Sequence, residues 1–278
     1  MTTIGVFDSG FGGLTVLRAL LPLIPDARDI YVGDTARLPY GSKSHDTIAR
    51  YAVSSAKFLA SQGADLLVIA CNTASALALD DIRAAVTIPV VGVIQPGAEA
   101  ALNTSQALPP AAQAHQHVLV LATTATTQSG AYTRALNTLG LRATEKACPL
   151  LVPLVEEGWL DEPSQTSVTL EVLHIYLLEA LAQAPDASIL LLGCTHYPLL
   201  KSMIEATLRN IHHPMRILDS AEAAAGTVAA LLQKPAAPAP GNPECHFYAT
   251  DSIEKFQRLG SAFLGQSLPP VHLIDLGG

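Results

Sequence analysis

The sequence predicts an α/β fold built from two similar three-layer units with mainly parallel sheets. Three observations lead there. Short, bounded apolar runs alternate with helix-length periodic segments, the pattern of βαβ units. The clearest runs, Leu66–Ala70 and Ile189–Gly193, are apolar throughout, as strands covered on both faces are. The order of elements also restarts midway. Asp8 to Cys71 spans 63 positions and Thr123 to Cys194 spans 71. Each half runs strand, polar turn, helix, strand, loop, helix, cysteine strand. That period far exceeds a solenoid repeat, so two α/β units are the better reading.

Thr3–Phe7 reads as the first strand. It enters the turn Asp8-Ser9-Gly10-Phe11-Gly12-Gly13 and a helix over Leu14–Leu21, closed by Pro22 and Pro25. The turn is neither G-x-G-x-x-G nor a Walker loop, and a tight turn explains it as well as a ligand cradle does. Asp29–Gly33 is a second strand, opening onto the polar loop Asp34–Lys43. A helix over His45–Gln62 ends at Gly63, a natural left-handed cap. The Cys71 strand follows, then a helix over Ala74–Ala85 and a strand over Pro89–Ile94. Beyond Pro96 a short helix is expected to run into a surface excursion, Asn103–Gln116, rich in Ala, Pro and Gln.

The second half opens with the strand His117–Leu121 and a hydroxyl-dense turn, Ala122–Gly130. A helix to Gly140, a strand over Arg142–Cys148, a long helix over Pro163–Ala182 and the Cys194 strand complete it. Arg216–Ser220 and a helix to Gln233 come next. Lys234–Pro243 reads as a solvated loop by composition. The strands His246–Thr250 and Val271–Asp275 flank a helix over Ile253–Phe263, and the chain is expected to return here to complete the first unit. The expected domains are 1–95 plus 210–278, and 96–209.

Composition narrows the function classes. The chain has 278 residues, 49% hydrophobic and 14% charged, enough for a core and too few charges for global disorder. Sixteen basic residues against 24 acidic give a net charge of −8, which argues against nucleic acid as a partner. No apolar run approaches a bilayer span, so no membrane partner is expected. Met1-Thr2-Thr3 leads straight into a strand with no basic region or cleavage pattern, and the expectation is a cytoplasmic protein. Four cysteines then read as free thiols, and without a C-x-x-C pair no metal site is expected.

Both Cys71 and Cys194 fall just past a buried strand, where open α/β sheets bind ligands. A lone cysteine there is usually packing, and Cys148 and Cys245 keep that reading. Matched contexts set the other two apart: Cys71-Asn72-Thr73 and Cys194-Thr195-His196 add polar side chains that a packing thiol does not need. Two units with their strand ends toward a common cleft would offer one thiol from each side. That arrangement suits racemisation, in which one base removes a proton from one face of a carbon and an acid returns one to the other. Helix N-termini and the nearby His196 would favour a thiolate. Asp8 could orient a substrate amine or accept its proton.

These residues resemble the cofactor-independent aspartate/glutamate racemase superfamily, and within it the glutamate racemases. The matching stretches are Gly5–Leu14, Gly33–Gly41, Ile69–Ser75, Cys148-Pro149, Val152–Gly158 and Leu192–Leu200, in family order over residues 4 to about 220. The resemblance implies two α/β domains facing across a central cleft. It implies interconversion of L- and D-glutamate without pyridoxal phosphate, metal or other cofactor, supplying D-glutamate for peptidoglycan. By position it makes Cys71 and Cys194 the acid/base pair, assisted by Asp8 and His196. Asp8, Ser9, Tyr40, Gly41, Asn72, Thr73, Thr123, Thr126, Thr195 and His196 would contact substrate. Asp34 and Glu156 would support them, with Glu157 competing for the second role. Homodimers are common in the family, although no interface is visible in the pattern. Ala122 stands where the family commonly has glycine and Thr127 where an aliphatic residue is usual, so the side-chain end of the pocket is expected to differ.

Three other readings remain open on the residues. One is a relative acting on aspartate or a broader amino-acid set, which a substrate panel separates. Another is a thiol hydrolase with Cys71 as nucleophile, which leaves Cys194 unexplained. The third is a non-catalytic anion-binding module using the glycine turn.

Overall fold

A computed structural model describes residues 1–108, 116–233 and 244–277. The predicted loop over 234–243 and residues 109–115 of the predicted excursion lie outside the described residues. The chain divides into two compact units, Met1–Val93 with Ala221–Gly278, and Ile94–Ser220.

The first unit contains a six-stranded sheet. Its strands are β1 (Thr3–Asp8), β2 (Arg28–Gly33), β3 (Leu66–Ile69), β4 (Val90–Gly92), β9 (Glu244–Ala249) and β10 (Val271–Leu273), in the order β10-β9-β2-β1-β3-β4. Every pairing is parallel. Parallel strands need crossovers, and the helices that make them cover both faces. Phe7, Ile30, Val32, Leu67 and Ile69 pack on one face against Ile48, Ala52, Ala56 and Leu59 of the helix His45–Ser61. On the other face Tyr31 meets Phe247 and Phe256, with Phe11 against Phe256 at 5.7 Å between ring centroids. This is the three-layer arrangement the apolar runs predict.

The second unit repeats the scheme with four strands, β5 (His117–Ala122), β6 (Arg142–Ala147), β7 (Ile189–Gly193) and β8 (Arg216–Asp219), ordered β6-β5-β7-β8 and parallel throughout. The core of the first sheet, β2-β1-β3-β4, has the same order of succession. The repeated element order in the sequence is therefore a repeated topology. In each unit the chain leaves the first strand to one side and returns on the other. That places a topological switch point at β1/β3 in the first unit and at β5/β7 in the second.

Local differences from the sequence reading have physical causes. The segment Asn72–Ala85 is two helices, Asn72–Leu77 and Leu79–Ala85, broken at Ala78 (φ −125°, ψ 6°). Ser75 Oγ donates to the Ile69 carbonyl at 2.7 Å, while Ile82 is fully buried in the core, and the break meets both anchors. The next helix, Ile94–Ala107, begins before Pro96, because a first-turn residue needs no amide hydrogen. It also takes in Asn103–Ala107, which the sequence assigned to an excursion. The hydroxyl-dense turn is a helix over Thr124–Ser129, stopped by Gly130 in the left-handed region at φ +63°. Finally, β8 pairs with β7, so the boundary expected near 210 moves to the junction of Ser220 and Ala221.

Candidate active site

Asp8 ends β1, and Cys71 stands just past β3, at the neighbouring strand ends of the first unit's switch point. Cys71 caps the helix Asn72–Leu77, its Sγ accepting from the Ala74 amide at 3.4 Å. The thiol also donates to Ser9 Oγ at 3.5 Å. Asp8 is fully buried, and its Oδ2 accepts from the Gly10 amide at 2.8 Å. The glycine turn explains this closeness. A Cβ on Gly13 would stand 2.5 Å from the Asp8 Cβ and 2.9 Å from the Ala70 Cβ, so only glycine lets the helix Leu14–Leu20 start against these strand ends. Asn72 and Thr73, in the first turn after Cys71, are buried beside it in sequence.

Burial is the main influence on Cys71 and pushes its thiol up to about 11. The Asp8 charge pushes the same way. The Ser9 hydroxyl and the amides of Ala74 and Ser9 oppose both. Cys71 at rest is therefore a thiol.

The loop after β2 completes this cluster. It contains two short 3-10 turns, Thr35–Arg37 and Tyr40–Ser42, the second including Gly41. Tyr40 is fully buried, and its hydroxyl donates to Asp34 Oδ2 at 2.5 Å. Burial first, and the Asp34 charge second, hold the Tyr40 phenol far above its ordinary value, so it stays a donor. With that hydroxyl committed, the Tyr40 carbonyl in turn accepts from the Lys43 amide at 3.0 Å. Asp34 also takes Arg37 Nη1 at 3.3 Å and, on Oδ1, Thr250 Oγ1 at 3.0 Å. Sequence reasoning missed these last two partners of Asp34. Arg37 lies in a matched stretch and was readable as a salt-bridge candidate, but Thr250 is 216 positions away and carried no signal.

The second unit builds its cluster at the equivalent place. Thr123 follows β5, and Cys194 follows β7. Thr123 caps the helix Thr124–Ser129, accepting from the Thr126 amide at 3.4 Å, with the two hydroxyls 3.0 Å apart. Cys194 Sγ lies 4.0 Å from His196 Nδ1, and Thr195 Oγ1 lies 3.4 Å from the same nitrogen. On its other side His196 Nε2 is 3.2 Å from Glu156 Oε1. In the neutral tautomer with hydrogen on Nε2, the ring donates to Glu156 and turns an acceptor toward the thiol. Glu157 is exposed, so of the two adjacent glutamates it is Glu156 that contacts the imidazole. Tyr197 was also missed as a contributor. It is fully buried, and its hydroxyl donates to the Cys148 carbonyl at 2.9 Å, anchoring the turn that follows Cys194. Cys148 is itself buried, and burial pushes its thiol to about 12.

These paired clusters sit in a chain that matches the family model described as Asp/Glu/Hydantoin racemase over residues 14–228. A glutamate racemase of Koribacter versatilis is 48% identical over 99% of this chain and 98% of its own length. The chain belongs to the Asp/Glu racemase family. Two solved members show the same fold along almost their whole length. The glutamate racemase of Francisella tularensis, crystallised with D-glutamate, is 34% identical, with a TM-score of 0.84 over 99% of this chain and 98% of that one. That of Thermus thermophilus, crystallised with beta-chloro-D-alanine, is 41% identical, with a TM-score of 0.82 over 99% and 97%. A racemase acting through side-chain acids and bases needs an ionisable pair, and this member carries one cysteine at each of its two switch points. Among the described residues no cluster of three or more His, Cys, Asp or Glu is spaced to hold a metal ion. Among the same residues no helix is long and apolar enough to cross a membrane.

Proposed function

We propose that the protein interconverts L- and D-glutamate by two-base proton transfer between cysteine thiols, supplying D-glutamate for peptidoglycan synthesis. The observation that carries this reading is near-complete alignment with glutamate racemases, two of them 48% and 45% identical. The matched placement of Cys71 and Cys194 past equivalent strand ends supports the mechanism. One thiolate removes the Cα proton and the opposite thiol returns another, and the reverse reaction exchanges their roles. The electron pair left on carbon is held by the α-carboxylate as the carbanion forms, so proton transfer needs no pyridoxal phosphate or metal.

Each named residue has a role in this reading. Asp8 takes the substrate ammonium. That cation offsets the carboxylate charge that keeps Cys71 a thiol, so binding itself favours ionisation. Ser9 donates to the Cys71 thiolate once it forms. His196, oriented by Glu156, exchanges a proton with Cys194. Tyr40 and Gly41, Asn72, Thr73, Thr123, Thr126 and Thr195 bind the substrate's carboxylates and amine through main-chain amides and hydroxyls. Asp34 holds the Tyr40 loop. By resemblance to the family we also propose a cytoplasmic location and a possible homodimer, which cell fractionation and sedimentation velocity test.

The deciding experiment is proton NMR of L-glutamate and, separately, D-glutamate with the reduced protein in heavy water, no cofactor added. Loss of the Cα proton signal from both enantiomers is expected. Retention of both signals, in folded protein, overturns the reading. Cys71→Ser and Cys194→Ser should each abolish racemisation. Each should still eliminate halide from one enantiomer of a β-halogenated glutamate, with opposite preferences, since elimination needs only one base.

A further inference from the structure

The chain's return to the first unit does more than extend a sheet. After β9 it passes the loop Asp34–Ser42 and holds it through a closed set of hydrogen bonds. Thr250 Oγ1 donates to Asp34 Oδ1 at 3.0 Å and accepts from the Ala36 amide at 2.9 Å. The Thr250 amide donates to the Gly33 carbonyl at 3.2 Å. Thr35 Oγ1 donates to the Asp251 carbonyl at 2.6 Å and accepts from the Asp251 amide at 2.9 Å. Near the C-terminus, the Gly277 carbonyl accepts from Arg37 Nη2, and Arg37 lies over the Tyr51 ring at 4.5 Å.

All of this converges on Asp34. Its carboxylate is fully buried, which is tolerable only because donors surround it: Tyr40 and Arg37 on one oxygen and Thr250 on the other. Its amide donates to the Asp8 carbonyl at 3.1 Å, next to the candidate site. Asp34 thus fixes where the Tyr40–Gly41 main chain stands relative to Asp8, and Thr250 fixes which way the carboxylate faces.

We propose that Thr250 is a positioning residue for substrate binding, acting through Asp34 on the Tyr40–Gly41 main chain. This rests on the reading above, in which that main chain contacts glutamate. Removing the Thr250 hydroxyl strands one buried carboxylate oxygen and leaves the Ala36 amide without its acceptor. Asp34 then turns to find another donor, and its hold on the Tyr40 hydroxyl slackens. A main-chain contact made equally in the ground state and the transition state appears in KM and not in kcat.

The test compares Thr250→Val with Thr250→Ser. Thr250→Val is expected to raise KM for both enantiomers by up to about tenfold, the effect of weakening one main-chain hydrogen bond to the charged substrate. The same variant should keep kcat within about twofold of the parent. Thr250→Ser, which keeps the hydroxyl, should restore KM. A purely structural role would lower the folded fraction, cutting kcat per total protein and leaving KM alone. Amide hydrogen exchange without substrate supplies the second readout, with faster exchange over residues 35–43 expected in Thr250→Val. An unchanged KM overturns the proposal, as does a serine variant no better than the valine. Should the parent protein fail to exchange the glutamate Cα proton, the functional reading fails, and exchange over 35–43 still decides whether Thr250 braces the loop.

Discussion

Titrating Cys71 by its reactivity tests the electrostatics of the first cluster directly. Burial and the Asp8 charge raise this thiol from an ordinary 9.0 to about 11. That difference is worth about 3 kcal/mol against the thiolate. At pH 8 an ordinary thiol is ionised in about one molecule in ten, and one at about 11 in about one in a thousand, a suppression of about a hundredfold. Only the thiolate alkylates, so iodoacetamide should modify the substrate-free protein at Cys71 at a rate rising about tenfold per pH unit up to pH 10. The rate should level off near 11. Mass spectrometry of the Cys71 peptide reads it site by site, with Cys148, pushed by burial to about 12, as an internal comparison. Asp8→Asn removes the like charge, and its curve should level off at lower pH than the parent's. A parent curve already flat at pH 9.5, or an Asp8→Asn curve that does not move, would show that the described burial and charge do not govern this thiol.

Three further outcomes follow from the same geometry. Glu156→Gln should lower kcat/KM in both directions by about ten- to a hundredfold, as expected when a charge-assisted partner that orients an imidazole is lost; Glu157→Gln should match the parent, and coupled-enzyme assays of each direction check both. Asp29 is buried in β2, with neither carboxylate oxygen hydrogen-bonded among the described residues, and burial raises it from 3.8 to about 7. The folded protein therefore holds this proton between pH 4 and 7 where the unfolded chain does not. The contribution to stability is complete below pH 4 and is lost as pH rises through 7, by about 4 kcal/mol. Urea unfolding of Asp29→Asn should show that much less dependence on pH. Gly13→Ala places a Cβ 2.5 Å from that of Asp8 and should cost about 1–3 kcal/mol in the same assay, with activity falling as Asp8 is displaced.

Much of this was legible because parallel strands buried on both faces announce themselves as short apolar runs. The same patterning puts both thiols just past strand ends, where the structure has them. What the sequence hid was non-local or depended on a single cap. β8 is four residues with charged ends, Arg216-Ile217-Leu218-Asp219, and only its pairing with β7 assigns it to the second unit. The stretch Thr124–Ser129 is dense in hydroxyls that disfavour helix interiors. It is helical because Thr123 caps it. Glu156 and Glu157 are indistinguishable as letters; the direction of the helix Leu151–Glu156 turns one to His196 and the other to solvent. Thr250 is polar, half-buried and remote in sequence, and nothing short of the fold connects it to Asp34.

Racemisation is symmetric between mirror images, yet the two clusters are not. Cys71 is surrounded by a carboxylate and a hydroxyl, whereas Cys194 faces an imidazole. A thiol next to Asp8 keeps its proton. The His196 ring is in turn held by Glu156, 3.2 Å from its Nε2. Under the proposed mechanism the two directions of the reaction therefore draw on thiols in different surroundings. Because the two enantiomers have equal free energy, kcat/KM must be the same in both directions for this protein and every variant of it. The asymmetry can appear only as kcat and KM differing between directions by one common factor. Initial rates over a range of concentrations for each enantiomer measure that factor. A common factor different from one is the expected result. Identical kcat and identical KM in the two directions would mean that the different surroundings of the two thiols leave no imprint on turnover.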